Sequence, residues 1–140
     1  MAAWRMAALG RWSEIGHLVL RAGVGVMMMT HGWPKVAGGA ATWEKVGHAM
    51  GTFGITFAPT FWGACAAFSE FLGGLLLAVG LASRPAAAAL AFTMFVAASN
   101  HLARGQGLDG ASHAIELFFV FVGLLFLGPG KYSVDGRSGG

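Results

Sequence analysis

The chain has 140 residues, of which 56% are hydrophobic and only 11% are charged, whereas an ordinary soluble domain carries about 25% charged residues. So few charges would leave a water-exposed surface poorly solvated, and the apolar residues come in runs, so the composition predicts a polytopic α-helical membrane protein. The formal net charge of +3 is spread along the chain, which argues against a nucleic-acid-binding surface. The length predicts one domain over residues 1–140.

Four apolar runs predict an all-α membrane protein, a bundle of four transmembrane helices. The predicted spans are Ile15 to Trp33, Pro59 to Leu81, Pro85 to Leu102 and Ser112 to Leu127. The first span is expected to end at Pro34, because proline has no N–H to continue a helix. The third and fourth spans are short for a hydrocarbon core that needs about 20 residues, so their polar ends should lie near the interface. The Gly128-Pro129-Gly130 run should stop the fourth helix.

A short amphipathic segment is predicted between the first and second spans. From Thr42 onward, apolar and polar side chains alternate at roughly helical spacing. The apolar positions are Trp43, Val46, Met50 and Phe53, and the polar ones are Glu44, Lys45 and His48. This pattern favours a helix that lies at the membrane surface.

Basic residues in the loops predict the orientation of the bundle. With both termini cytoplasmic, the inner side carries Arg5, Arg11, Arg84, Lys131 and Arg137. The outer side carries Lys35, Lys45 and Arg104. The bias of five against three predicts that both termini lie in the cytoplasm.

Three ionisable residues inside the predicted spans point to a site: Arg21, Glu70 and Glu116. A charge at mid-bilayer costs ~2.5–3.5 kcal/mol on insertion scales, so it is retained only if it is paired, hydrated or functional. The predicted depths would let Arg21 reach Glu70, and small residues on both sides of Glu70 would turn it into the bundle. The pair could simply fix helix register, or it could belong to a functional site.

A second cluster is predicted at the outer side, where the end of span one, the end of span three and the start of span four meet. It comprises His31, His101, His113 and Glu116, with Glu70 beneath them. His113 and Glu116 are three residues apart and share a helix face, a spacing that suits a shared metal ion or a shared proton. Both interpretations stay open, and each histidine alone could be an interfacial polar side chain. The single cysteine, Cys65, is expected to be a packing residue.

Three motifs resemble the DoxX family. The run "RAGVGVMMMTHGWPKVAGG" is similar to that family's first helix, in which an arginine opens the helix and His-Gly-x-x-Lys ends it. The run "SEFLGGLLLAVGLASRPAAAAL" is similar to its Glu-x-x-Gly-Gly helix, and "GPGKYSVDG" to its closing motif. The resemblance implies a four-helix bacterial membrane protein. It marks six positions of interest: Arg21, His31, Lys35, Glu70, Arg84 and Glu116.

The family resemblance also implies a function linked to quinol oxidases and thiosulfate:quinone oxidoreductases. The leading hypothesis is an accessory or substrate-handling subunit of membrane electron transfer, with a quinone or a small sulfur compound as redox partner. A quinone needs hydrogen-bonding groups at its carbonyls and a proton route, which His31, Glu70, Glu116 and Arg21 could supply. A divalent metal ion at His31, His101, His113 and Glu116 is the other candidate cofactor.

A non-catalytic role is the alternative: a membrane scaffold, or a small-solute carrier with Arg21 and Glu70 as its polar pathway. Whether the chain is an enzyme is left open. The chain has no nucleotide or flavin fingerprint, so electrons would have to come through a redox enzyme partner or a bound metal. The expected partners are the lipid bilayer of the bacterial inner membrane, other copies of the chain and a respiratory enzyme.

Overall fold

A computed structural model describes residues 2–139, which form helices joined by short turns. In chain order these are α1 (Ala2–Gly47), a 3₁₀ helix (His48–Phe53), α2 (Pro59–Val79), α3 (Ser83–Ala103), α4 (Gly107–Leu127) and the short α5 (Val134–Ser138). No β-strand occurs in this part of the chain. The predicted all-helical class is therefore confirmed.

Three of these helices, α2, α3 and α4, are long and apolar enough to cross a membrane. Helix α1 is long enough but not apolar enough to be counted with them. Polar side chains such as His17, Arg21 and His31 lower its mean hydropathy. Helices α3 and α4 have 21 residues each, enough for a hydrocarbon core of about 30 Å. The expectation that both would be short is wrong, because α4 begins at Gly107 rather than at Ser112. An acid in its first turn, Asp109, favours that earlier start.

Helix α1 does not end at Pro34. It continues past Pro34 to Gly38, breaks at Gly39 (φ 67°, ψ −160°), and resumes as a second helical segment that ends at Gly47. Proline removes a single backbone donor, which a membrane helix tolerates, whereas the positive φ at Gly39 is open mainly to glycine. The indole N–H of Trp43 donates to the Lys35 carbonyl beside this kink (2.9 Å). Lys35 therefore lies within the helix and not in an external loop.

The predicted amphipathic segment forms the last turns of α1 and the 3₁₀ helix. It packs against the bundle: Gly47 lies on the backbone of Pro59, and the rings of Phe53 and Phe95 stack with centroids 5.7 Å apart. Met50 is buried, whereas Phe53 remains 44% exposed. Its placement at a membrane surface stays a prediction.

Glycines bring α1 and α2 into close contact. A side chain at Gly25 would meet the Gly74 carbonyl oxygen at 2.6 Å, and one at Gly32 would meet the backbone of Phe71. Small residues allow helix backbones to approach in this way in lipid. The remaining core lies between these helices and the α3–α4 pair, around Leu90 and Phe121.

Candidate functional site

A partly buried ion pair joins α1 and α2 near the middle of the bundle. The Lys35 ammonium lies 2.7 and 2.6 Å from the two carboxylate oxygens of Glu70. Glu70 is only 3% exposed, as the small residues around it predict, and it lies in a π-helical turn, Ser69–Gly73. Such turns are rare and recur at functional sites. The pair satisfies two charges that would be costly if each were left alone.

The predicted pairing of Arg21 with Glu70 is wrong. The Arg21 guanidinium donates instead to the carbonyls of Leu77 (2.7 Å), Ala78 (2.8 Å) and Tyr132 (2.7 Å). Leu77 lies seven residues beyond Glu70, about 10 Å further along the helix. Lys35, predicted to lie outside the span, lies inside it and takes the place beside Glu70 that was expected for Arg21. Arg21, which is 1% exposed, thus satisfies carbonyls at the end of α2 that the helix leaves unpaired.

A cavity of about 240 Å³ opens beside the ion pair, and we call it the apolar cavity. Lys35 and Glu70 form part of its wall, and the rest comes from α2, α3 and the segment after the α1 kink. Most of the lining is apolar, including Met50 and Phe92. Three lining residues, Cys65, Ala89 and Phe92, are also exposed at the surface of the bundle. In a bilayer this cavity would therefore open sideways toward lipid.

Few polar groups line the apolar cavity. The hydroxyls of Thr93 and Ser69 are hydrogen-bonded to each other (3.0 Å), and Thr93 also donates to the Ala89 carbonyl (2.8 Å). The indole N–H of Trp62 is buried and has no partner within residues 2–139. An unpaired buried donor costs ~1–3 kcal/mol.

A second, smaller cavity of about 190 Å³ lies on the other side of the ion pair, and we call it the histidine cavity. Its wall includes His31, His101 and His113, together with Lys35 and Glu70. The rings of His31 and His113 are 5.6 Å apart, and His101 Nδ1 is hydrogen-bonded to Gln106 Oε1. The three histidines and Glu70 thus surround one space, as the order of the helices predicts.

Glu116 does not join this group. It is exposed on α4 and lines neither cavity. Over residues 2–139, no three His, Cys, Asp or Glu side chains are placed to hold a metal ion. The geometry therefore offers no support for a metal site at His31, His101, His113 and Glu116.

Sequence reasoning missed Lys35 as the partner of Glu70 and missed Trp62 and Thr93 altogether. Lys35 had a detectable signal, because it closes the His-Gly-x-x-Lys motif that begins at His31. Trp62 and Thr93 carried no comparable signal, since a tryptophan or threonine in an apolar helix is usually a packing residue.

The fold and the Lys35–Glu70 ion pair define the class of this protein, an all-helical membrane protein. Its ion pair lies between two cavities. The model of the DoxX family matches residues 16–102. The chain is also 31% identical over 125 residues to the inner membrane protein YqjF of Escherichia coli (strain K12), an alignment that covers 87% of this chain and 91% of that protein. No solved structure matches the chain. The chain belongs to the DoxX family.

Proposed function

We propose that the chain is a substrate-handling subunit of membrane electron transfer that binds a quinone head group in the apolar cavity. The observation that supports this most directly is the Lys35 ammonium, held beside Glu70 in the wall of a cavity that is otherwise mostly apolar. A quinone has two carbonyl oxygens that accept hydrogen bonds. The Lys35 ammonium is a donor suited to one of them.

The size and the lining of the apolar cavity favour a quinone over a small sulfur compound. An engineered cavity of about 150 Å³ binds benzene, so about 240 Å³ accommodates one substituted ring. A small sulfur anion would have to lose its hydration against a mostly apolar wall, which is costly. The sideways opening at Ala89 and Phe92 suits a ligand that arrives through the lipid.

The proposal takes α1 as a fourth membrane span. Its charged side chains between residues 15 and 38, Arg21 and Lys35, both have partners, which removes most of the cost of placing them in lipid. Five basic residues at the end that carries both termini favour a cytoplasmic location for that end. The name of the Escherichia coli relative supports the inner membrane. Electrons would be exchanged with a redox partner protein.

Two matched variants test the proposal. Ala89→Phe places a large ring at the opening of the apolar cavity, whereas Ala88→Phe adds the same ring at an exposed neighbour that does not line it. We expect Ala89→Phe to weaken the binding of a short-chain ubiquinone about tenfold or more, and Ala88→Phe to leave it unchanged. Equilibrium dialysis of the purified protein in neutral detergent measures the dissociation constant. Equal affinities for both variants would contradict the proposal.

A small-solute carrier is the second candidate, favoured by the position of the Lys35–Glu70 pair between two cavities. Alternating-access carriers place binding sites at such central positions. Cys65 lines the apolar cavity and reports on the difference. Rapid reaction with a membrane-impermeant maleimide in intact vesicles would favour a water-filled carrier pathway. Reaction only after denaturation would favour a quinone site that faces lipid.

A further inference from the structure

A cleft lies at the end of the bundle that carries both termini, between the first turns of α1 and the segment that follows α4. Its charged and aromatic lining residues are Trp4, Arg11, Glu14, Lys131 and Tyr132. We infer that this cleft binds the head group of an anionic phospholipid. The site is separate from both cavities and does not depend on the proposed quinone function.

Basic side chains outnumber acidic ones at this end of the bundle. Five basic side chains lie here: Arg5, Arg11, Arg84, Lys131 and Arg137. The two acids at the same end, Glu14 and Asp135, accept hydrogen bonds from backbone N–H groups. Glu14 accepts from the Lys131 N–H (2.8 Å), and Asp135 accepts from the N–H groups of Ala82 (3.0 Å) and Ser83 (2.9 Å). Glu14 also lines the cleft and keeps its negative charge, but the two cations Arg11 and Lys131 outnumber this one carboxylate and favour an anion.

Two hydrogen bonds hold the backbone of the cleft at Lys131 and Tyr132 in place. The Glu14 bond fixes the Lys131 backbone against α1, and the Arg21 guanidinium holds the neighbouring Tyr132 carbonyl (2.7 Å). Tyr132 therefore lies at the level where α2 ends. An occupant of this cleft sits where the helices leave the hydrocarbon core, which is the depth of phospholipid head groups.

Exposed apolar side chains next to the cleft favour a lipid as its occupant. Trp12 is 69% exposed, Leu9 is 68% exposed and Trp4 is 61% exposed. Tryptophan is enriched at the membrane interface, where the ring meets acyl chains and the N–H meets polar groups. A phospholipid supplies a phosphate for Arg11 and Lys131 and acyl chains for the apolar side chains. Inorganic phosphate would supply the anion but no acyl chains.

The test uses Arg11→Gln, Lys131→Gln and the double variant. The Lys131 change keeps the backbone N–H that binds Glu14, so the fold of the tail is preserved. Lys45→Gln, at an exposed lysine near the other end of α1, is the matched control. Native mass spectrometry in neutral detergent measures the occupancy of phosphatidylglycerol and of phosphatidylcholine.

We expect each cleft variant to lower phosphatidylglycerol affinity about fivefold and the double variant about 25-fold, on the usual scale for one basic residue at an anionic surface. Phosphatidylcholine binding and the Lys45→Gln protein should show no such change. Equal binding of both lipids, or an equal loss in Lys45→Gln, would overturn the inference. Displacement of the lipid by millimolar inorganic phosphate would also overturn it, because the site would then recognise a free anion.

Discussion

The Asp135 carboxylate accepts hydrogen bonds from both Ala82 and Ser83, at 3.0 and 2.9 Å, and so ties the C-terminal segment to the turn between α2 and α3. The Asp135 N–H in turn donates to the Gly80 carbonyl (2.9 Å). Ala82 has a positive φ, and in this tight turn its N–H and that of Ser83 both point toward the Asp135 carboxylate. One acidic residue thus fixes the position of the tail that carries Lys131 and Tyr132.

Asp135 gives the first prediction, a dependence of stability on pH. The N–H groups of Ser83 and Ala82 lower the pKa of Asp135 below its ordinary value of 3.8. A group with a lowered folded-state pKa contributes stability above its unfolded pKa, and loses that contribution as the pH falls through the folded-state pKa. We expect Asp135→Asn to lower the Tm at pH 7, and the difference from the unchanged protein to shrink below about pH 4.

Thermal unfolding in detergent between pH 3 and pH 7 measures this effect. Asp109→Asn, at an exposed acid near the opposite end of the bundle, serves as the control and should show no comparable loss. An Asp135→Asn deficit of constant size across the whole pH range would show that the carboxylate charge is not responsible.

The second prediction concerns the Lys35–Glu70 pair. Glu70→Gln should destabilise the protein by about 2 kcal/mol, less than the ~3–5 kcal/mol of a fully buried pair, because the Lys35 side chain is 32% exposed. Adding Lys35→Met should recover part of the loss, since the unpaired ammonium is then removed. Adding Arg21→Gln should produce an additive loss, because Arg21 does not contact Glu70. A double-mutant cycle of unfolding free energies decides between these outcomes, and additivity for Lys35 and Glu70 would contradict the pairing.

The third prediction separates Glu70 from Glu116 in ligand binding. If the apolar cavity binds a quinone head group, Glu70→Gln should weaken that binding about tenfold, because it frees the Lys35 ammonium from its fixed position. Glu116→Gln should leave the dissociation constant unchanged, because Glu116 lines neither cavity. Both constants come from the same dialysis experiment. A greater loss for Glu116→Gln would place the ligand beside α4, outside the apolar cavity.

The fourth prediction concerns the close contact of α1 and α2. Gly32→Ala introduces a methyl group that meets the backbone of Phe71, next to Glu70, whereas nothing lies within 4 Å of a Cβ at Gly23. We expect Gly32→Ala to lower the unfolding free energy by about 1–3 kcal/mol, as overpacking does. Gly23→Ala should be neutral or stabilising by up to about 1 kcal/mol, because alanine favours the helix. Unfolding in a denaturing detergent measures both, and equal effects would argue against a tight contact at Gly32.

Much of the helical architecture could be predicted from the sequence, because runs of apolar residues and glycine-proline breaks act locally. The burial of Glu70 was also predictable, since its helix neighbours Gly63, Gly73 and Gly74 are small. Its partner, Lys35, could not be predicted in the same way. Whether a proline ends a helix depends on the packing around it, and Pro34 is tolerated within α1. That one misjudged boundary moved Lys35 out of the span and left Arg21 as the apparent partner.

The kink at Gly39 affects the shape of the apolar cavity, because it directs the chain that follows onto α2 and α3. Residues Val46 to Met50 supply one wall of that cavity, and they follow the kink and lie outside the spans α2, α3 and α4. Substitutions in this short stretch can therefore enlarge or narrow the cavity while Lys35 and Glu70 keep their places. Within this stretch Gly47 is constrained by its contact with Pro59, so Val46, Ala49 and Met50 are the positions through which the size of the cavity can change.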